Sequence, residues 1–345
     1  MKESTLRILL IGPRRNNNLE SIGGTTVSFE NLISFLDSNK IVHQIVCTNR
    51  FKKRKFDLYN YFYVLFKVII YIPRINLIML NASPRGIIVF SFPIYLIAWL
   101  FNCKLVFRVF GGDFYSFYLN LNKLARIALL KCLKSADLLL LQTKSLLQKF
   151  ELLDCKVNWL PTSRSVKMTQ NLNKEFSKRL IYFGQITEQK GIDLILRLID
   201  ILDIDYQIDI YGPIISDKYL FLKSKSYYKG ILNQNQIPST LSNYDVLLLP
   251  TFHPGEGYPG AIIEANSCGL PVIASNWMSI PEIVIDQYNG LLFPVNDFDS
   301  LLNIIRNLNE VKWRVLSSNA ILWSKQFDGN FVNSNLIDRF RKLLI

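Results

Sequence analysis

Histidine and paired cysteine are scarce in this sequence. It contains two histidines and five cysteines, and no two cysteines form a C-x-x-C pair. The odd cysteine count argues against a disulfide framework, and the few available ligands argue against a zinc site. We therefore expect no metal ion, no cofactor and a reducing, cytoplasmic location.

Long uninterrupted apolar runs are also lacking. Residues 59–101 are very apolar, but charges and prolines such as Lys67, Pro73 and Arg85 interrupt them, whereas a membrane span needs about 20 apolar residues in a row. We interpret this stretch as strands and helices of a core. The first apolar run is only about six residues long, too short for a signal peptide, and predicts a first strand. Gly12 begins no G-x-G-x-x-G pattern, so a nicotinamide or flavin cofactor is not supported.

What is present is enough apolar sequence for two domains. The chain has 345 residues, of which 50% are hydrophobic and 19% charged, which suits two domains of about 150 residues each. Strand and helix patterns alternate, which is typical of parallel sheets covered by helices. The predicted strands are 6–11, 41–48, 87–90, 104–109, 136–142, 179–183, 206–211, 245–249 and 271–274; the predicted helices are 25–36, 94–101, 122–134, 191–201 and 261–267.

The alternation restarts after a polar stretch at residues 163–177, which we interpret as a linker. We predict an N-terminal domain over 1–165 and a C-terminal domain over 175–322. A final helix over 323–345 is expected to return to the N-terminal domain. Two doubly wound halves joined by a hinge predict a cleft between domains, where ligands commonly bind.

Positive charge is concentrated in the first half. Residues 1–172 contain 24 Lys and Arg against 9 Asp and Glu, whereas residues 173–345 contain 16 against 18. Lys52, Lys53, Arg54 and Lys55 precede a run of aromatic residues up to Phe66. This combination is typical of interfacial membrane segments, but a solvated loop followed by a core helix would show the same pattern. An anionic membrane surface is thus one possible partner. Nucleic acid is not expected, because no binding motif accompanies the charge.

The sharpest chemical pattern lies near residue 256. The predicted strand 245–249 ends at Pro250, and a loop rich in Gly and Pro leads into a short helix. Glu256 lies in the loop and Glu264 on the helix. Such loops at the carboxyl ends of strands bind ligands in open α/β sheets, and carboxylates are good acceptors for sugar hydroxyls. The alternative is that both are ordinary surface charges.

The segment from Glu256 to Glu264 matches the E-x7-E motif and resembles retaining glycosyltransferases of family 4, which have the GT-B fold. Residues 264–274, 281–284 and 289–293 are similar to the segments that follow in that family. Tyr182-Phe183-Gly184-Gln185 with Lys190-Gly191 resembles its phosphate loop. The resemblance covers about residues 180–300 and is weaker before them. It implies two Rossmann-like domains facing each other across a cleft, an N-terminal one that binds the acceptor and a C-terminal one that binds the nucleotide-sugar.

The resemblance also implies residue roles. Glu256 would hold hydroxyls of the donor sugar, Glu264 the ribose, and Lys190 the diphosphate. Gly23 and Gly24 would bring amides to the same diphosphate when the domains close.

Further positions follow from the motif. Gly260 and Ala261 begin the helix whose amides can face an anion, and Ile231 lies where the family contacts the base. The family usually has arginine where this chain has Gln185, so one cation for the diphosphate is missing. Arg14, Arg15 and Arg164 are open candidates to replace it.

Asp113 follows the predicted strand 104–109 and is predicted, with Glu256, to act near the reacting carbon; capping of the next helix is the alternative. His253 and His43 are interpreted as structural.

The expected function is retaining transfer of a hexose-type sugar from a UDP- or GDP-sugar to an acceptor hydroxyl, without a metal. The expected acceptor is a saccharide, and a lipid-linked one in capsule, O-antigen, lipopolysaccharide or exopolysaccharide synthesis fits best. The enzyme would then lie in the cytoplasm, peripheral to the inner face of the membrane. A sugar-nucleotide epimerase on the same fold and a silent anionic-lipid-binding protein remain alternatives.

Overall fold

The computed structural model describes residues 5–15, 24–49, 57–164 and 174–345. Predictions about Gly23, about the basic segment 51–56 and about most of the linker fall outside these ranges. The chain divides into two compact units: residues 1–162 with 329–345, and residues 163–328.

The sheet of the first unit is parallel throughout. Its strands are β1 Arg7–Gly12, β2 Val42–Cys47, β3 Leu77–Ala82, β4 Lys104–Val109, β5 Leu138–Leu141 and β6 Val157–Trp159, in the order β2-β1-β3-β4-β5-β6. All six residues of the inner strand β3 are buried, as expected for a parallel sheet covered on both faces.

Helices cover both faces of this sheet. They are α1 Gly24–Ser38, α2 Asp57–Tyr71, α3 Pro84–Leu100, α4 Phe114–Leu119, α5 Lys123–Ser135 and α6 Lys144–Glu151. Side chains of α2, α3 and α5 share one core with the strand residues on one face of the sheet. Side chains of α1 pack in a second core on the opposite face. Among the described residues, no helix is both long and apolar enough to cross a membrane.

The predicted strand at residues 87–90 is wrong. These residues lie in the first half of α3, whose N-terminus is set by Ser83 accepting a hydrogen bond from the Gly86 amide and by Pro84 in the first turn. The strand is instead β3, just upstream. The stretch is apolar on nearly every residue, so periodicity could not separate the strand from the helix.

The second unit is another doubly wound parallel sheet. Its strands are β7 Arg179–Phe183, β8 Gln207–Tyr211, β9 Val246–Leu249, β10 Val272–Ser275 and β11 Gly290–Phe293, in the order β11-β10-β9-β7-β8. Its helices are α7 Ile192–Ile201, α8 Ile237–Leu241, α9 Gly260–Ser267, α10 Phe298–Arg306 and α11 Glu310–Ser324. The predicted strands 104–109 and 179–183 coincide with β4 and β7.

The last helix, α12 Gly329–Leu343, belongs to the first unit. Its buried residues Val332, Leu336 and Phe340 share a core with Phe29 of α1 and Ile8 of β1. The chain therefore returns to its first unit after completing the second. Both units are Rossmann-like α/β folds, as the alternation of strands and helices predicts.

Candidate functional site

The candidate site lies where the strand order of the second sheet reverses. β7 neighbours both β8 and β9, so the chain leaves β7 in one direction and returns on its other side. Ligands in open α/β sheets bind at the carboxyl ends of the two strands beside such a switch point. Here those ends are Phe183 of β7 and Leu249 of β9.

Glu256 lies in the loop that follows β9 and is buried. Its Oε2 accepts a hydrogen bond from Lys190 Nζ at 2.6 Å and another from Thr251 Oγ1 at 2.6 Å. Lys190 and Glu256 were predicted to serve one donor molecule, and the structure brings them into direct contact. A buried charge needs such a partner, because desolvation otherwise costs several kcal/mol.

Thr251 was not singled out from the sequence. Its carbonyl accepts a hydrogen bond from Ser275 Oγ at 2.5 Å, which ties the β9 loop to the end of β10. The available signal was its position directly after Pro250 at a strand end. Thr251 therefore links the Glu256 carboxylate to the end of β10 and helps to orient it.

Gly191 allows the β7 loop to approach the β9 loop. It has a φ of +74°, and a Cβ atom there would lie 2.0 Å from the Pro250 carbonyl oxygen. The Phe252 amide donates to the Gln189 carbonyl at 2.8 Å, which joins the same two loops. This contact brings Lys190, just before Gly191, within reach of Glu256.

Glu264 is buried on α9 and forms an ion pair that its local sequence does not predict. Arg164 Nε donates to its Oε1 at 2.9 Å, across 100 positions of sequence. Burial raises the pKa of Glu264, and the neighbouring guanidinium opposes that rise. The ribose contact predicted for Glu264 would therefore form beside a buried cation.

Arg164 also crosses the beginning of α9. A Cβ atom on Gly260 would lie 1.9 Å from Arg164 Nη2, so a side chain there would displace this guanidinium. Ala261 follows in the first turn and is half-buried. The next amide, that of Ile262, donates to the Pro259 carbonyl at 3.2 Å.

Three arginines are candidates to replace the arginine that the family usually has at position 185. One of them, Arg164, lies in the second unit beside the predicted ribose position. Arg14 lies in the first unit, where its Nε pairs with Glu30 at 2.7 Å, and the Arg15 amide donates to the same carboxylate. Gln185 itself is exposed, and its carbonyl accepts a hydrogen bond from Tyr182 Oη at 2.6 Å.

Ile231 lies close to the end of β8, at the same edge of the sheet. The Gly212 amide after β8 donates to the Gly230 carbonyl at 2.8 Å. A Cβ atom on Gly212 would lie 1.8 Å from the Gly184 carbonyl oxygen, so the turns after β7 and β8 touch. Ile231 is partly exposed beside this contact.

In the first unit, the equivalent edge holds two predicted residues. Gly24 is exposed at the start of α1, and Asp113 is half-buried before α4, where its side chain does not cap the helix. Gly23 is outside the described residues. The roles of Gly24 and Asp113 remain predictions.

Both histidines contact neighbouring polar groups of the protein. His253 Nδ1 lies 2.8 Å from Gln189 Oε1, and its carbonyl accepts a hydrogen bond from Trp277 Nε1 at 2.8 Å. His43 Nδ1 lies 2.8 Å from the Ile41 carbonyl. In the described part of the chain, no three His, Cys, Asp or Glu residues are grouped as metal ligands would be.

Residues 163–316, all in the second unit, match the family described as Glycosyl transferases group 1. The chain thus carries a glycosyltransferase domain of that group. Over 137 residues it is 34% identical to the UDP-Gal:alpha-D-GlcNAc-diphosphoundecaprenol alpha-1,3-galactosyltransferase of Escherichia coli, covering 38% of this chain and 33% of that protein. Over 118 residues it is 31% identical to the O-antigen chain mannosyltransferase B of Escherichia coli, covering 34% of this chain and 30% of that protein. The alignments thus span about a third of these relatives' length.

Solved structures match along nearly the whole chain. HepE of Anabaena, crystallised in complex with UDP, has a TM-score of 0.74 at 14% identity and covers 98% of this chain and 100% of its own. Sucrose-phosphate synthase from Thermosynechococcus elongatus has a TM-score of 0.75 at 16% identity, covering 98% of this chain and 99% of its own. These likenesses establish the predicted GT-B fold class.

Proposed function

We propose that this protein is a retaining glycosyltransferase of family 4. It would transfer a hexose-type sugar from a nucleotide-diphosphate sugar to an acceptor hydroxyl. The observation that carries the proposal is the Lys190–Glu256 contact at the switch point of the second sheet, inside the part of the chain that matches Glycosyl transferases group 1.

Each part of the donor would meet a side chain or a backbone group along this edge. Glu256 would accept hydrogen bonds from the sugar hydroxyls, and Glu264 from the ribose. Lys190 would turn from Glu256 toward the diphosphate, where its charge stabilises the leaving group. Gly260 and Ala261 would offer amides, and the backbone at Ile231 would contact the base. Gln185 would supply only a neutral side chain.

In the reaction, the bond between the anomeric carbon and the diphosphate oxygen breaks, and the acceptor oxygen bonds to that carbon on the same face. The acceptor proton passes to an oxygen of the departing diphosphate, so atoms and charge balance. Asp113 would act near the reacting carbon or the acceptor. Closure over the donor would exclude water, which otherwise competes as acceptor. No metal ion or cofactor takes part in this scheme.

The acceptor we propose is a lipid-linked saccharide used in capsule, O-antigen, lipopolysaccharide or exopolysaccharide synthesis, handled at the inner face of the cytoplasmic membrane. Support comes from the relatives' names, which include an undecaprenol-linked acceptor and an O-antigen chain. The basic first half of the sequence fits such a location. For the donor, UDP- and GDP-sugars are the candidates, and the likeness to a UDP-bound structure favours UDP.

A thermal-shift panel of UDP-, GDP- and ADP-sugars tests donor binding. A ligand at 100 times its dissociation constant stabilises the folded chain by about 2.7 kcal/mol, so a clear rise in melting temperature is expected for one base. No shift with any nucleotide-sugar would contradict the proposal and favour a silent binding protein. Conversion of a donor into a second sugar-nucleotide without acceptor would identify an epimerase.

Glu256→Gln tests the site itself. The substitution keeps the shape but removes the charge that Lys190 and Thr251 contact, so we expect transfer to fall by about a hundredfold or more. Glu310→Gln, on the exposed side of α11, is the matched control and should retain full activity. Normal transfer by Glu256→Gln would remove this carboxylate from the mechanism.

A further inference from the structure

The first unit presents an apolar surface that the proposed donor chemistry does not use. On α2, six large apolar side chains are exposed: Leu58, Tyr59, Phe62, Phe66, Ile69 and Ile70. Their spacing places them along one side of a helix. The opposite side, with Val64 and Val68, is buried against the sheet.

The next helix repeats this arrangement. On α3 and the residue after it, the exposed apolar side chains are Val89, Phe92, Leu96, Trp99, Leu100 and Phe101. Phe92 is 61% exposed and Trp99 is 66% exposed. These exposed fractions are unusually high for such large rings on a surface that faces water. The inner side of α3, with Ile87 and Ile94, lies in the same core as Val64 and Val68.

The two helices lie side by side, so their exposed sides form one surface. Tyr61 of α2 stacks on Phe90 of α3 with ring centroids 5.5 Å apart. We call the exposed apolar side chains of α2 and α3 the aromatic face. A contiguous apolar patch of this kind marks a docking site for a membrane or a protein.

Charge around the aromatic face favours a negatively charged partner. Between Asp57 and Asp113 the sequence has no acidic residue and five basic ones. Beside α3 lies α5, with which it shares a core; α5 has four basic residues and no acidic one, and Lys123 and Lys131 on it are exposed. Aromatic and aliphatic side chains bordered by lysines are the composition of helices that lie in the bilayer interface.

We infer that the aromatic face docks onto an anionic lipid bilayer, with α2 and α3 lying in the plane of the headgroups. Phe66, Phe92 and Trp99 enter the acyl boundary, and Lys123 and Lys131 contact the anionic headgroups. Interfacial aromatic anchoring of this kind holds a protein without any span. This surface would hold the enzyme where the lipid-linked acceptor of the proposed function resides.

Flotation of the full chain with vesicles tests the inference. We expect binding to vesicles of phosphatidylcholine and phosphatidylglycerol, weaker binding to phosphatidylcholine alone, and release by salt from the anionic fraction. The double variant Phe92→Ser, Trp99→Ser should lower the partition coefficient by about tenfold to a hundredfold, since two large apolar groups are lost. Val311→Ser with Leu322→Ser, both exposed on α11, is the matched control and should bind like the wild type.

A spectroscopic readout separates insertion from surface charge alone. Bromine on the lipid acyl chains quenches nearby tryptophan, so bound wild-type protein should lose part of its fluorescence. Trp99→Phe keeps the apolar ring but removes this fluorophore, and it should bind equally while being quenched much less. Equal quenching of wild type and Trp99→Phe would place Trp99 outside the bilayer and overturn the inference.

Other outcomes decide against the bilayer. Absence of vesicle binding by the wild type, or unchanged binding by the double variant, overturns the inference. So does concentration-dependent dimerisation in sedimentation that the double variant abolishes without any vesicle binding, because a second copy would then cover the face. Donor thermal shifts are measured without lipid, so failure of this inference and failure of the proposed function are separate results.

Discussion

Replacing Arg164 by methionine should destabilise the second unit strongly. The Arg164 and Glu264 side chains are 5% and 9% exposed and make a 2.9 Å ion pair. Arg164 Nη1 also donates to the Ser163 carbonyl at 3.0 Å. Methionine has a similar length without the charge, so it leaves the Glu264 carboxylate buried without its cation. Breaking a buried pair in this way costs about 3–5 kcal/mol.

The stability lost in Arg164→Met should increase as pH rises. Burial already raises the pKa of Glu264 above its unfolded value, and removing Arg164 takes away the attraction that opposes this rise. Below the unfolded pKa, about 4.5, the acid is protonated in both states and the charge penalty is absent. As pH rises toward the folded-state pKa, the unfolded chain releases its proton first, so the penalty grows by about 1.4 kcal/mol per pH unit. Above that pKa it is fully present.

The assay is urea unfolding at pH 5 and pH 8, combined with hydrogen exchange of the α9 amides. Exchange is needed because a chain with two units need not unfold in one step. Arg164→Met should lose more stability at pH 8 than at pH 5. Adding Glu264→Gln should restore about 2 kcal/mol, because the uncompensated charge is gone. Equal stability of Arg164→Met and wild type, or no rescue by Glu264→Gln, would refute the reasoning.

Three further predictions concern Gly191 and Gln185 in the phosphate loop and the proposed independence from metal ions. Gly191→Ala should lower the free energy of unfolding by about 3 kcal/mol in thermal unfolding, since its Cβ would lie 2.0 Å from the Pro250 carbonyl oxygen. Gly230→Ala is the control, because Gly230 has a similar φ and no atom within 4 Å of a Cβ, and it should cost only about 1 kcal/mol. Equal costs would contradict the contact at Gly191. Gln185→Arg should lower the donor KM about fivefold to tenfold by supplying the missing cation, and a KM that does not move would place residue 185 away from the diphosphate. Transfer measured with and without EDTA should be equal, and loss of activity restored by a divalent ion would show that a metal is needed.

Much of the fold could be predicted because buried parallel strands are local signals. Lys104–Val109 and Arg179–Phe183 each begin with a basic residue, are mostly apolar and are followed within two residues by glycine, and both are strands with the predicted bounds. The failure at residues 87–90 has a local cause as well. β3 and α3 are both apolar on nearly every residue, and only the Ser83–Pro84 helix start separates them.

The candidate site was predictable in part. Glu256, Glu264 and Lys190 are identified by a local motif, and their roles still rest on that resemblance. The contacts between these residues are harder to predict from the sequence. Lys190 and Glu256 are 66 positions apart, and they come into contact because β7 and β9 are neighbouring strands. The membrane-facing interpretation of the first half stays a prediction. The basic segment 51–56 is outside the described residues, while the aromatic run up to Phe66 lies on α2, and exposed apolar side chains are found on α2 and α3.

The amino-acid sequence by itself determined two doubly wound units, most of their strands and the position of the E-x7-E loop, because burial patterns, prolines and glycines act over a few residues. Tertiary structure alone decided which strands became neighbours, and thus that Lys190 meets Glu256 and that Arg164 crosses Gly260 to reach Glu264. It also decided which side of each apolar helix faces outward. These outcomes depend on long-range packing of a sheet, in which contacts between distant segments are chosen together and not by any one segment.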